Sequence, residues 1–322
     1  MPNPNLSNAV KKIETTQERL LTMLSTALGP EIAEYLNDTQ VVEIMVNPDG
    51  ALWVERLGEG RFNTGHKLAP EEGERVIYLV ATATDTICNI QQPTLSAELP
   101  GSGDRFQGML PPVVSAPSFT IRKRASKVIP LVTYVQEGMM TEVQMNAIIQ
   151  AISEKKNILI VGGTGSGKTT LLNATLNEIA KSNDRLIIIE DTQELQCTAP
   201  DVVFFRSCSY VTMNDLLRAT LRYRPDRIIV GEVRGPEALT LLKSWNTGHP
   251  GGCATVHANN ARGGLIRLEQ LILEAIPNPV RELIVEAVNV IVYIERFQNS
   301  RRIREVVTVE GLEGTNYILR SI

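Results

Sequence analysis

Aromatic side chains are scarce in this chain: 2 Trp, 7 Tyr and 6 Phe among 322 residues. The core is therefore expected to be aliphatic, and a surface that stacks bases of single-stranded nucleic acid would have few rings to use. Excess positive charge is missing too. Lys and Arg number 32 against 36 Asp and Glu, a net charge of −4. That excludes a protein coated for phosphate backbones, although a local basic groove stays open and no strong direct nucleic-acid signal is present. The four cysteines, Cys88, Cys197, Cys208 and Cys253, form no C-x-x-C pair, so neither a zinc cluster nor a disulfide framework is expected. No apolar run approaches the roughly 18 residues of a membrane span; Val290 to Ile294 is strand-sized. Residues 1–28 also lack the apolar segment of a secretory leader. With 43% hydrophobic and 21% charged residues, the chain is neither disordered nor a coiled coil. A globular cytoplasmic protein is expected, touching a membrane at most from its surface.

What is present is patterned, and the length suits about two domains of roughly 150 residues each. Leu6, Val10, Ile13, Leu20, Leu24 and Leu28 recur at helical spacing, which predicts an amphipathic helix over residues 1–30, ended by Gly29-Pro30. Val41 to Val46 and Ala51 to Arg56 flank Asn47-Pro48-Asp49-Gly50, a hairpin signal. A helix is expected over Pro70 to Thr86, and short strands over Arg105 to Leu110 and Phe119 to Lys123. Residues 31–125 thus read as a small α+β domain, and residues 126–140, interrupted by Pro130 and Gly138, as a linker. Over residues 141–322, strands Ile158 to Val161, Leu186 to Ile189, Arg227 to Val230 and Gly252 to Val256 alternate with helices. Strands this apolar between helices predict a parallel sheet covered on both faces, an α/β fold. The tail is expected to form short strands with a turn at Gln298-Asn299-Ser300.

The strongest chemical signal is Gly162-Gly163-Thr164-Gly165-Ser166-Gly167-Lys168-Thr169, a G-x-x-x-x-G-K-[ST] motif between a predicted strand and a predicted helix. Its glycines let backbone N–H groups turn inward around phosphates at a helix N-terminus, the site running on to Thr170. Lys168 is expected to bridge β- and γ-phosphates and the Thr169 hydroxyl to ligate Mg²⁺, which implies ATP and Mg²⁺ as ligands. Glu232, just past a strand's C-terminal end, is the expected general base or water-positioner. Asp226 opens the same strand and belongs at the opposite edge. Gly231 stands where an aspartate holding Mg²⁺ commonly sits, so Glu190 or its neighbours up to Glu194 could supply the missing metal ligand; an N-cap role for Glu190 or Asp191 is the alternative. His257, at a strand end, would face the nucleotide; His249 could simply be packed. Thr255 could order a water near the phosphates. Arg105 and Arg122 sit on adjacent short strands of the first domain, and a P-loop enzyme needs extra positive charge at the γ-phosphate. Arg301-Arg302-Ile303-Arg304 reads as the exposed face of a hairpin.

Together these stretches resemble the secretion-ATPase superfamily, the ring motors of type II and type IV secretion, pili and conjugation. The likeness rests on the Walker A motif at Gly162 to Thr169, an acidic box at Glu190 to Glu194 and a G-E-x-R at Gly231 to Arg234. A histidine box at Gly248 to His257 and the strand Ser118-Phe119-Thr120-Ile121-Arg122-Lys123 complete it. It spans roughly residues 41–304 and is greatest toward the conjugative-transfer and VirB-type traffic ATPases. Type II secretion members usually carry a four-cysteine zinc insertion, and retraction motors an A-I-R motif; neither is found.

The resemblance implies a RecA-like core behind a smaller N-terminal domain, ATP held between the two, and a homohexamer at the inner membrane. It would work there with components of a type IV secretion apparatus and act on transported DNA or protein indirectly. It also implies that Glu232 promotes hydrolysis and Glu190 or Glu194 supports metal and water. His257 would couple the site to its surroundings, and Arg105 and Arg122 would contact the γ-phosphate. The rival expectations are a pilus-assembly or type II secretion-like ATPase, a DNA-translocating RecA-like motor, and a nucleotide-gated scaffold.

Overall fold

In the computed structural model of the chain, the backbone is described for residues 4–124, 128–208, 210–297 and 300–322, and side chains from residue 18 onward. The side chains of Leu6, Val10 and Ile13, and the expected turn residues Gln298 and Asn299, lie outside the described residues. The chain divides into two compact units, 1–126 and 127–322. Among the described residues no helix is long and apolar enough to cross a membrane.

The first unit opens with α1 (Pro4–Asn37), which does not stop at Gly29-Pro30. Gly29 takes φ +75° and Pro30 starts a new turn, a position where its missing N–H costs nothing. Leu24 and Leu28 before the break and Ile32 after it are buried in one core. The chain therefore bends here without leaving its domain, and an N-terminal helix ending at residue 30 is not a separate element.

A six-stranded antiparallel sheet follows, built from β1 (Val41–Val46), β2 (Ala51–Arg56), β3 (Gly60–Lys67), β4 (Thr94–Glu98), β5 (Arg105–Met109) and β6 (Ser118–Arg122) in the order β3-β2-β1-β6-β5-β4. Helix α2 (Pro70–Ala83) falls between β3 and β4 and packs with α1. Strand side chains alternate between faces. Ile44, Val54, Leu95, Phe106 and Ile121 join Val76, Ile77 and Val80 of α2 in the core. The residues between them form one row across all six strands: Glu98, Arg105, Arg122, Glu43, Glu55 and Arg61 are successive register partners.

The second unit begins inside the stretch expected to be a linker. α3 (Leu131–Gln136) buries Leu131 and Tyr134, and Met139 and Met140 follow them into the core. Pro130 and Gly138 bound a short helix here; they mark its ends, and the stretch from Leu131 to Met140 belongs to the second unit's core and not to a linker. α4 (Glu142–Ser153) starts with a capping box in which Thr141 accepts from the Gln144 N–H, which saturates orphan donors at the helix start. The remaining elements are β7 (Ile158–Gly162), α5 (Lys168–Ile179), β8 (Leu186–Glu190), β9 (Val202–Arg206), α6 (Met213–Thr220), β10 (Arg227–Val230), α7 (Glu237–Asn246), β11 (Cys253–His257), α8 (Ala261–Leu273), α9 (Arg281–Ala287), β12 (Val290–Phe297), β13 (Ser300–Glu313) and β14 (Asn316–Ser321).

They form an eight-stranded sheet in the order β14-β13-β12-β7-β11-β10-β8-β9. β12 through β9 run parallel, and β13 and β14 add an antiparallel margin. Every residue of β7, β8 and β10 is buried, because both faces are covered. Leu159 and Val161 enter one core with α7, α8 and α9, while Ile158 and Ile160 enter the other with α3, α4 and α5. This is the mixed α/β architecture of a RecA-like core. Its parallel strands deliver β7, β8, β10 and β11 to one common edge, each ending in a residue with chemistry to offer.

Candidate functional site

The turn between β7 and α5 is shaped by its glycines. Gly165 and Gly167 hold φ +68° and +97°, values that L side chains rarely adopt. Gly162 needs its missing side chain for a different reason: a methyl there would lie 2.4 Å from both the Ile294 carbonyl and Ser166 Oγ. Such a loop exposes successive N–H groups at the start of a twelve-residue helix, an arrangement suited to anions. Thr164 and Gly165 are exposed, Gly163, Thr169 and Thr170 half-buried, and Ser166 and Lys168 buried. Ser166 Oγ is buried without a hydrogen-bond partner.

Lys168 leads to the rest of the site. Its Nζ donates to the Gly163 carbonyl at 2.9 Å and lies 3.3 Å from each ring nitrogen of His257. Register explains the meeting, since His257 is the β11 partner of Gly162. His257 Nε2 is in turn 2.7 Å from Glu232 Oε1, close enough for an ion pair but not aligned as a hydrogen bond, so that oxygen counts as buried and unpartnered. Burial and then the Lys168 ammonium hold the His257 imidazole below its usual pKa, with Glu232 pulling the other way. Lys168 at the start of α5, His257 at the tip of β11 and Glu232 just past β10 thus form one continuous line.

Glu190 stands apart from that line. As the last residue of β8 it is 4% exposed, and its Oε1 accepts the N–H groups of Glu194 and Leu195 at 3.0 and 2.9 Å. The carboxylate therefore folds residues 191–195 back over the strand tip. Burial pushes its pKa up to about 7, against the opposing pull of those two N–H donors. Gly231 now has a reason that the motif alone did not supply: a side chain there would meet Glu190 Cγ at 3.0 Å and Oε1 at 3.3 Å. The acidic group that packs beside β10 comes from the neighbouring strand and occupies the space an aspartate would need. Glu194 contributes its backbone to this bracket and its charge to the surroundings of Arg234.

Two expectations change. Thr255 is buried and its hydroxyl donates to the Gly231 carbonyl at 2.7 Å, so it ties β11 to the β10 tip and orders no water through that proton. Arg301-Arg302-Ile303-Arg304 is not uniformly an exposed face: Ile303 is 4% exposed in the core and its N–H donates to Met139. Strand alternation puts Arg301 on the same face as Ile303. Its stem lies 3.5 Å from where a methyl on Gly167 would sit, as does Ile294. Arg301 is a loop-side residue that the sequence reading missed, and the alternation around Ile303 was the signal for it. His249 is the packed histidine, with Nδ1 at 3.0 Å from the Pro225 carbonyl. Asp226 accepts the Arg185 N–H at 2.7 Å, at the opposite sheet edge.

In the first unit, Arg105 and Arg122 face each other directly across β5 and β6. Like charges placed so are unfavourable unless anions offset them; Glu98 and Glu43 flank the pair in the same row, and the Arg122 charge opposes the burial that raises the Glu43 pKa. Among the described residues neither guanidinium has an ion pair or hydrogen bond, whereas neighbouring Arg124 pairs with Glu98 at 3.3 Å.

Residues 31–305 match the family described as type II/IV secretion system protein. The probable conjugal transfer protein TrbB of Sinorhizobium fredii (strain NBRC 101917 / NGR234) is 52% identical over 305 residues, covering 94% of each chain. The conjugal transfer protein TrbB of Rhizobium radiobacter is likewise 52% identical, over 301 residues and 93% of each chain. Among solved structures, the Legionella pneumophila ATPase DotB superposes with a TM-score of 0.61 at 24% identity, over 86% of this chain and 79% of that one; this likeness bears on the fold.

Proposed function

Because the chain belongs to the type II/IV secretion system protein family, we propose that it is an ATPase whose turnover drives conjugative transfer through a type IV secretion apparatus. The names of the two TrbB relatives support the conjugal setting. One observation carries the enzymatic reading: Lys168, His257 and Glu232 stand in one contiguous group beside the glycine loop. A phosphate tail in the loop would meet backbone N–H groups and the Lys168 ammonium. Glu232 then orients and deprotonates the attacking water, and His257 relays the state of the site to β11.

The residues present fit a Mg²⁺–nucleotide: Thr169 is the second residue of α5 and half-buried beside the glycine loop, and within that loop Ser166 Oγ is buried without a hydrogen-bond partner. Thr169 would hold the ion together with phosphate oxygens, with Glu232 nearby and Glu190 acting mainly through the loop it brackets. Once bound, the ion would neutralise charge building on the phosphates. Arg105 and Arg122, side by side on β5 and β6, would supply the extra positive charge that the γ-phosphate needs. A homohexameric ring at the cytoplasmic face of the inner membrane, working with membrane components and acting on transported DNA or protein indirectly, completes the reading.

Steady-state ATPase measurement on K168A, paired with nucleotide binding to E232Q, is the test. K168A should lose turnover by a factor on the order of 1,000; E232Q should bind ATP and stall. Full turnover by E232Q would overturn the base assignment.

A further inference from the structure

Arg234 leaves β10 two residues after Glu232, in the turn that precedes α7. Its guanidinium forks: Nη2 pairs with Glu232 Oε2 and Nη1 with Asp191 Oδ2. Its backbone is fixed independently, because the buried Glu237 carboxylate accepts the N–H groups of Arg234 and Gly235 at 2.8 and 2.9 Å. Gly235 is tightly placed as well, since a methyl there would lie 3.0 Å from Glu237 Oε2 and press on the carboxylate that holds the turn. The turn is therefore rigid at its base and presents one planar cation to two carboxylates from different strands.

Glu232 is held from two sides. Oε1 faces His257 at 2.7 Å and Oε2 faces Arg234. Its side chain is 16% exposed, against 50% for Arg234. An ion pair of a half-exposed arginine contributes little to stability. The geometry of this one instead determines where a carboxylate points. Lysine could not do the same, because a compact ammonium lacks the fork that spans two acids.

We propose that Arg234 is a positioning residue for hydrolysis: it aims Glu232 at the attacking water and couples that aim to the acidic loop through Asp191. The inference rests on the reading of Glu232 as water-activating residue. A carboxylate displaced by about 1 Å can cost on the order of 100-fold in rate without weakening substrate binding. Arg234 thus acts on kcat and not on nucleotide affinity.

The experiment uses the full chain with Mg²⁺ and ATP, comparing E232Q, R234A, R234K, D191N and D191N/R234A in steady-state turnover and in binding of a fluorescent non-hydrolysable ATP analogue. R234A should lose about 10- to 100-fold in kcat, with KM and analogue affinity within about twofold of the parent. R234K should recover part of the rate, D191N should lose less than R234A, and the double variant should match R234A. A raised KM and weakened analogue binding at normal kcat would make Arg234 a nucleotide contact and overturn the inference. Losses that add in the double variant would also overturn it. E232Q at the normal rate removes both readings, whereas a stalled E232Q beside a fully active R234A removes this one alone. Analogue binding doubles as the folding check. Should R234A fail it, D191N decides, and a normal kcat there counts against the inference.

Discussion

The two edges of the eight-stranded sheet carry similar residues put to opposite ends. At the N-terminal ends of the strands, buried Arg227 donates to Asp184 at 2.7 Å, to the Gly251 carbonyl at 3.2 Å and to the Ile152 carbonyl at 3.1 Å. Asp184 also accepts from Lys155 at 2.7 Å and Ser182 at 3.0 Å. Burial would raise the Asp184 pKa, but these donors outweigh it and hold the carboxyl down to about 2. At the C-terminal ends, Glu190 is raised to about 7, His257 is lowered, and Ser166 Oγ and Glu232 Oε1 are buried without a hydrogen bond, the latter facing His257. One edge saturates its charges and the other leaves them unsettled. Perturbed and under-satisfied groups mark a site prepared for chemistry; saturated ones mark a joint.

The largest effects should fall on the unsettled edge. K168A removes the cation over the phosphates and should lower kcat by a factor on the order of 1,000. A stability change below about 1 kcal/mol is expected with it, measured by ATPase assay beside thermal melting. An active K168A would erase the distinction between the edges. Next, R227M strips the saturated joint and leaves Asp184 poorly paired. A loss of about 3 kcal/mol in unfolding free energy is expected, read from denaturant midpoints. Nucleotide affinity should be kept wherever the protein is still folded, and a variant of normal stability would show that the joint is decorative.

Glu190 sharpens the comparison through pH. Its folded pKa of about 7 lies above the ordinary 4.5, so the folded state binds the proton more tightly. Stability from this group is fully present below about pH 4.5 and is lost as pH rises through about 7, by up to about 3 kcal/mol. E190Q keeps an oxygen to accept the Glu194 and Leu195 N–H groups but cannot ionise. In magnesium-free buffer it should gain on the parent between pH 5 and pH 8; parallel curves would refute the account. Asp184 runs the other way, its contribution present above the ordinary 3.8 and lost as pH falls through about 2. The smallest effect expected is for G231A. Its methyl must displace Glu190 Cγ from 3.0 Å, at a cost of about 1–3 kcal/mol, checked by melting together with ATPase rate.

Legibility followed locality. The loop at Gly162 to Thr169, the strands at Ile158, Leu186 and Arg227, and the hairpin across Asn47 to Gly50 announce themselves through spacing and turn chemistry confined to a few residues. β9 did not, because Val202 to Arg206 sits at a sheet edge where burial is partial and its pattern is weak. β3 was hidden similarly: Gly60 to Lys67 is mostly polar and lies at the margin of its sheet. Pro130 and Gly138 suggested a linker, since breakers look alike whether they end a helix or interrupt a core. Arg301 looked like one of several surface arginines until pairing with β12 put it beside Ile294 and the glycine loop.

By itself the order of residues determined that a triphosphate cradle opens a parallel-sheet unit, and that acids and a histidine end its strands. Those features rest on backbone conformations and periodicities that neighbouring residues impose on one another. Tertiary structure alone decided which acid brackets a loop and which one faces the imidazole, why glycine precedes Glu232, and which arginine spans two carboxylates. Each of these depends on strands distant in sequence lying about 5 Å apart in the sheet, a proximity that the pairing order creates.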